Sequence, residues 1–317
     1  MIKDIMFSKK DAKLIVFAAA AILILIIIPL TGNRFIMATT FTILTYMVLA
    51  QAYNILGGYG GYVNFGYSAF YGLGGYITAI LSTQWHVSPL LMVPIAGLAV
   101  GVISAILGVP LLRLKGVYFA IGMITVNFIF LCLVLLFPKI TKAGLGIVLP
   151  PPPPLQVFCY LAAAVAVVTT LAAHRIANSS FGLALRSIRE DEEVAEVVGV
   201  NLTKYKVLGF VASTIPAAVV GGITAAYLTY IDPDTMFNIG FSVKVILMAR
   251  LGGLGTIAGP LVGALVIQAI SYALRYTLGG VLHKIVWGAL LSATIILLPG
   301  GVIKYVRSVL VRRSAIS

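Results

Sequence analysis

The chain has 317 residues, of which 61% are hydrophobic and only 10% charged, with a mean hydropathy of +1.08. That composition excludes an ordinary water-soluble globule. A formal net charge of +13 in so apolar a chain reads as membrane-topology bias and not as a nucleic-acid surface.

Apolar runs of about 20 residues, each long enough to cross a hydrocarbon core of roughly 30 Å as a helix, recur along the sequence. They predict an all-α polytopic membrane protein, a single transmembrane domain over residues 1–317. Its ten spans are 14–30, 35–56, 62–82, 90–111, 117–137, 155–173, 207–230, 239–251, 257–276 and 284–301. The third is rich in glycine and aromatics, and the eighth is short and carries two cations.

Lys3, Lys9, Lys10 and Lys13 precede the first run and place the N-terminus in the cytoplasm. The first run has no small-residue cleavage site, so an uncleaved helix is expected. Counting crossings puts Arg113, Lys115, the 174–206 loop and the basic tail on the same cytoplasmic side. The Trp85–His86 turn, Lys139, Lys142, the proline run Pro150–Pro154, Asp232 and Asp234 fall outside, where the prolines read as a stiff extended connection. Ten spans can divide into two inverted five-helix halves. However, the glycine-rich stretches near 57 and 252 lie on one side and are not the pair such a repeat relates. Cys132 and Cys159 both sit in apolar runs and read as small buried hydrophobes.

The 174–206 loop breaks the apolar pattern. Of nine carboxylates in the chain, five (Glu190, Asp191, Glu192, Glu193 and Glu196) lie within seven residues. The spacing predicts two short helices, the first capped by Ser179 or Ser180 and the second ended by Gly199 in a left-handed conformation. Leu185, Ile188, Val194, Val197 and Val198 form an apolar side, with Arg186, Arg189, Glu190 and Glu193 turned outward. Such helices are too short to stand alone in water and need a partner surface. The loop is read as a docking surface.

Thirty-two glycines is a heavy load for a helical protein. Gly57 and Gly61, Gly97 and Gly101, and the ladder Gly255, Gly259 and Gly263 recur at the four-residue spacing that lets helix backbones approach closely in lipid. The alternative for the runs around Gly57–Gly61 and Gly252–Gly255 is a bend used during alternating access. Few polar residues lie within spans. Asn54, Asn64, Ser68 and Asn127 are candidates for a substrate pathway, though such a residue reads first as an interhelical hydrogen bond. Lys244 stands apart, because an ammonium inside a span costs on the order of 3 kcal/mol and no carboxylate lies in any predicted span. It must meet water, carbonyls, a partner chain or a substrate carboxylate.

Four stretches carry a family resemblance. The loop motif G-L-A-L-R-S-I-R-E-D-E-x-x-A-E-x-x-G-V, residues 182–200, resembles the coupling segment of ABC-importer permeases. The stretch from Ala52 to Tyr76 is similar to the signature N-L-L-x-G-Y-x-G-x-x-S-x-G-H-x-A-F-x-G-x-G-A-Y of the LivM-type branched-chain amino acid permeases. Leu112 to Ile121 resembles that type's L-R-L-R-G-x-Y-F-A-I element, and Leu251 to Ala264 its L-G-G-x-G-x-x-x-G-P-x-x-G-A run. The Val243–Arg250 stretch departs from the family's apolar pattern at Lys244 and Arg250.

The resemblance implies a permease subunit of an importer for branched-chain or related amino acids, or similar small carboxylates, in a bacterial or archaeal inner membrane. It implies a LivH-type second permease, two cytoplasmic ATPase subunits that hold ATP and Mg, and a periplasmic substrate-binding protein. Gly182, Arg186, Arg189, Glu190, Glu193, Glu196 and Gly199 would then couple to the ATPase. No G-x-x-x-x-G-K-[ST] occurs in the chain, so ATP hydrolysis and its cofactors are expected on other polypeptides and no enzymatic activity is expected here. No metal site is expected: His86, His174 and His283 are widely spaced. The competing reading is an ion-coupled secondary transporter of small organic solutes, which the lack of intramembrane carboxylates disfavours.

Overall fold

The computed structural model describes residues 32–278 and Gly288. The predicted spans 14–30 and 284–301 lie outside the described residues, Gly288 excepted. The other eight predicted spans are all helices. They are α1 (Arg34–Tyr53), α2 (Tyr67–Trp85), α3 (Pro89–Leu111), α4 (Gly116–Leu136), α5 (Leu155–Ala177), then α8 (Leu202–Leu228), α9 (Ile239–Gly252) and α10 (Ala258–Leu278). Between α5 and α8 lie two short helices, α6 (Ser180–Glu190) and α7 (Glu192–Val197). Six segments are long and apolar enough to cross a membrane, which makes the chain a polytopic helical membrane protein. α2 is not among those six: its Gly72, Gly74 and Gly75 and its hydroxyl side chains dilute its apolar character.

α8 is the central helix, packed against α1, α2 and α3. Asn201 starts it, its Oδ1 accepting from the Lys204 N–H at 3.0 Å, and Thr229 ends it in the left-handed region. Its contact with α2 runs backbone to backbone. A Cβ on Gly74 would fall on the Ala218 main chain, and one on Gly221 on the Tyr71 carbonyl. This is the close approach that small residues permit in lipid. α9 and α10 meet in the same way: a Cβ on Gly252 would strike the Gly259 carbonyl, and one on Gly263 the Met248 carbonyl. Gly259 and Gly263 of the predicted ladder, with Gly252, lie at this contact, while Gly255 lies beside the Gly58 carbonyl instead.

The third span starts later than expected, at Tyr67 and not at 62. Gly61, at φ +78°, turns the chain out of helix, and residues 61–66 run as irregular backbone. Irregular backbone at this depth must be covered by protein, and α4 covers it. Successive α4 residues at four-residue spacing receive it in order. Phe119 meets Tyr62 edge-on (centroids 5.0 Å), the Met123 carbonyl lies against Gly66, and Asn127 bonds Ser68. Much of α4 otherwise faces outward, including Cys132, which is exposed and not buried as its apolar context suggested. Cys159 is buried, its Sγ 3.4 Å from the Met37 carbonyl.

At the end of the bundle opposite α6 and α7, strands β1 (Ile147–Val148) and β2 (Tyr230–Ile231) pair antiparallel, Ile147 opposite Ile231. The prolines that follow β1 are non-helical up to Pro154, which caps α5.

Candidate functional site

The α6–α7 elbow is built from its own caps. The Ser179 Oγ accepts from the Gly182 N–H at 3.3 Å, and Gly182 lies directly on the Ile176 carbonyl, which folds α6 back against the end of α5. Asp191 breaks the helix in an extended conformation, and its Oδ1 accepts from the N–H groups of Glu193 (2.9 Å) and Val194 (3.1 Å), starting α7. Gly199, at φ +88°, ends α7 in the left-handed region as expected. Glu190, Glu193 and Glu196 are exposed.

Two expectations for the elbow fail. Arg186 is half-buried, and Arg189, exposed overall, reaches a main-chain carbonyl with its guanidinium. Arg186 donates to the Ala177 carbonyl at 2.9 Å with its guanidinium 5.3 Å from the Tyr59 ring centroid, and Arg189 donates from Nη1 to the Gly58 carbonyl at 2.7 Å. The cause is the surplus of unpaired carbonyls where helices end, which attracts cationic donors. The apolar side also divides: Leu185 and Ile188 are buried, but Val194, Val197 and Val198 are exposed, and of α7 only Ala195 is buried.

The Gly58 carbonyl belongs to a π-helical turn, Asn54–Tyr59, that continues α1. Such turns are rare and concentrate where a helix performs a function. Asn54, fully buried, binds this turn to the glycine loop between α9 and α10. Its Oδ1 accepts from the Gly255 N–H (2.7 Å), and its Nδ2 donates to the Thr256 carbonyl (2.8 Å). Gly255 holds φ +80° beside the Gly58 carbonyl, and Gly57 lies against the Tyr53 ring. The structure thus joins Asn54, Gly57, Gly61, Gly255 and Arg189 at one place, where both glycine-rich breaks meet the elbow.

A second junction lies beside it, centred on Glu192. Its Oε1 accepts from the Tyr62 hydroxyl at 2.6 Å, and its Oε2 pairs with the Lys206 ammonium at 2.8 Å and more loosely with Lys115 at 3.5 Å. Burial pushes the Glu192 carboxyl up. The bonds from Lys206 and Tyr62 and the attraction of Lys206 and Lys115 outweigh it and hold it below the ordinary value. Sequence reading did not single out Glu192 for a site, since its partners lie far away in the chain and nothing local distinguishes it from its acidic neighbours.

The other pathway candidates divide. Ser68 and Asn127 are fully buried in a closed network. The Ser68 N–H donates to the Ser242 Oγ (2.7 Å), the Ser68 Oγ bonds the Asn127 Oδ1 (2.9 Å), and the Asn127 Nδ2 donates to the Phe237 carbonyl (2.7 Å). Asn64 is 2% exposed, and among the described residues neither of its amide atoms has a hydrogen-bond partner. Lys244 is half-buried, its ammonium 4.4 Å from the centroid of the Tyr46 ring. A cation over an aromatic face gains electrostatic stabilisation from the ring.

The long apolar helices define a polytopic helical membrane protein. The profile of the family described as "Branched-chain amino acid transport system / permease component" matches residues 35–297, and the chain belongs to that family. The chain is 27% identical over 271 residues to the high-affinity branched-chain amino acid transport system permease protein LivM of Salmonella typhimurium and to that of Escherichia coli. Each match covers 76% of this chain and 64% of the relative. The LivH permease protein of the same Salmonella system is 30% identical over 128 residues, 40% of this chain and 41% of LivH. No solved structure matches the chain.

Proposed function

We propose that the chain is a permease subunit of an ABC importer that moves branched-chain or related amino acids, or similar small carboxylates, into the cytoplasm. Separate ATPase subunits drive it, a LivH-type permease pairs with it, and a periplasmic binding protein delivers the substrate. The proposal includes ten spans in an inner membrane, open to an arrangement as two inverted five-helix halves, with both termini cytoplasmic. Membership of the family and similarity to both LivM and LivH proteins support this reading.

The observation that carries it is the meeting of the elbow with both glycine breaks through Arg189 and Asn54. An ATPase seated on exposed Glu190, Glu193 and Glu196 would push on a helix already bonded to the places where spans can bend. Replacing Glu190 and Glu193 together with Lys should remove the ATPase subunits from the purified complex while leaving the permease folded. Transport at the wild-type rate by that variant would refute the docking role. Uptake by the purified chain alone in vesicles, given only an ion gradient, would instead establish a secondary transporter.

A further inference from the structure

We propose that Glu192 is a positioning residue, a strut that carries motion of α7 into the interior of the membrane domain. The inference rests on the reading of the elbow as the place where the ATPase acts.

α7 has six residues and buries only Ala195, so packing alone holds it weakly. Its firm side-chain attachment is Glu192, its first residue, which contacts three other parts of the chain at once. Tyr62 lies in the irregular 61–66 segment, Lys206 in the first turns of α8, and Lys115 just before α4. Lys206 dominates the cluster. Its side chain is only 6% exposed, so separating it from Glu192 would leave a buried ammonium without its counter-ion. Lys115, at 64% exposure, is screened and adds little. The Lys206 ammonium also sits 5.4 Å from the Tyr62 ring centroid, so carboxylate, phenol and ammonium form one closed unit. α7, the foot of α8 and residue 62 are therefore bound to move together.

Residue 62 is the beginning of a continuous strip. From Tyr62 the chain runs along α4 past Phe119 and Met123 to Ser68, where it enters the buried Ser68–Asn127–Ser242 network. Displacement of α7 is thus delivered to the foot of the central helix and, along the strip, to polar groups near the middle of α4. Arg189 anchors α6 separately on the Gly58 carbonyl. The elbow is thus held on both sides of the Asp191 break, α6 by Arg186 and Arg189 and α7 by Glu192.

The test uses the full transporter in proteoliposomes and reads three quantities: ATPase subunits retained, melting temperature, and solute moved per ATP hydrolysed. Glu192→Gln should retain the ATPase subunits yet move at least about tenfold less solute per ATP. The exchange Glu192→Lys with Lys206→Glu should recover most of that loss. Tyr62→Phe removes one bond with almost no change in volume and should lower solute per ATP about threefold. It carries the test if Glu192→Gln does not fold.

A lower melting temperature with unchanged solute per ATP would overturn the strut, leaving Glu192 a merely structural residue. Loss of the ATPase subunits on Glu192→Gln would also overturn it, by placing Glu192 in the docking surface while the reading of the elbow stands. The Glu190→Lys, Glu193→Lys double variant separates the two ideas: if it keeps its ATPase subunits and full transport, the elbow reading itself falls.

Discussion

Near the middle of α4, Ser68, Asn127 and Ser242 close a network on the Phe237 carbonyl in which every group is neutral and fully buried. At the elbow end the junction is made of charged groups, with Arg189 exposed, Glu192 partly exposed and Lys206 buried against its counter-ion. The difference follows from the solvent. In a low-dielectric interior, neutral hydrogen bonds fix helices against one another at small cost, while an unpaired charge is prohibitive. At the membrane boundary, charges can be held by helix-end carbonyls and by each other, and can still respond to a partner outside. The first region sets the packing of α2, α4 and α9; the second is where force can enter.

Breaking each region should have different consequences. The largest effect is expected at Gly58, where a Cβ would fall on the Asn54 Oδ1 and within 2.7 Å of the Gly255 nitrogen. Gly58→Val should cost about 3 kcal/mol or more and abolish transport, as thermal unfolding in detergent and uptake assays would show. Asn127→Leu removes the acceptor of the Ser68 hydroxyl and the donor to the Phe237 carbonyl and should cost about 2 kcal/mol. The folded fraction should also move less solute per ATP, because the strip from Tyr62 ends in this network.

The charged junction alone should respond to acid. Glu192 has a folded-state pKa below its unfolded value, so the stability it contributes is present above the unfolded value and disappears as pH falls through the folded one. Melting temperatures measured down through that acid range should therefore fall less steeply for Glu192→Gln than for the wild type. The smallest effect is expected from Lys115→Ala. Its ion pair is long and its side chain 64% exposed, so stability should change by no more than about 0.5 kcal/mol.

What the sequence revealed and what it hid follow the same division. Local signals were readable. Ser179 and Gly199 bound the elbow helices because capping depends on residues two or three positions away, and the glycine ladder announced the α9–α10 contact through its spacing. Directions set by distant partners were not readable. Arg189 reaches with its guanidinium for a carbonyl 131 residues earlier, and Glu192 is distinguished from its acidic neighbours by Tyr62, 130 residues earlier. The late start of α2 was hidden for a related reason. Residues 61–66 are apolar and aromatic enough to pass for a span, but their irregular path is held in place by α4.

The most direct trial of the account is solute moved per ATP hydrolysed by the assembled transporter carrying Arg189→Ala. The guanidinium hydrogen-bonds the elbow to the π-turn beside the Arg186–Tyr59 ring contact, and the residue is otherwise exposed, so assembly and ATP hydrolysis should persist. Solute per ATP should fall at least about tenfold. Unchanged solute per ATP would contradict the claim that the elbow drives the glycine breaks through this contact.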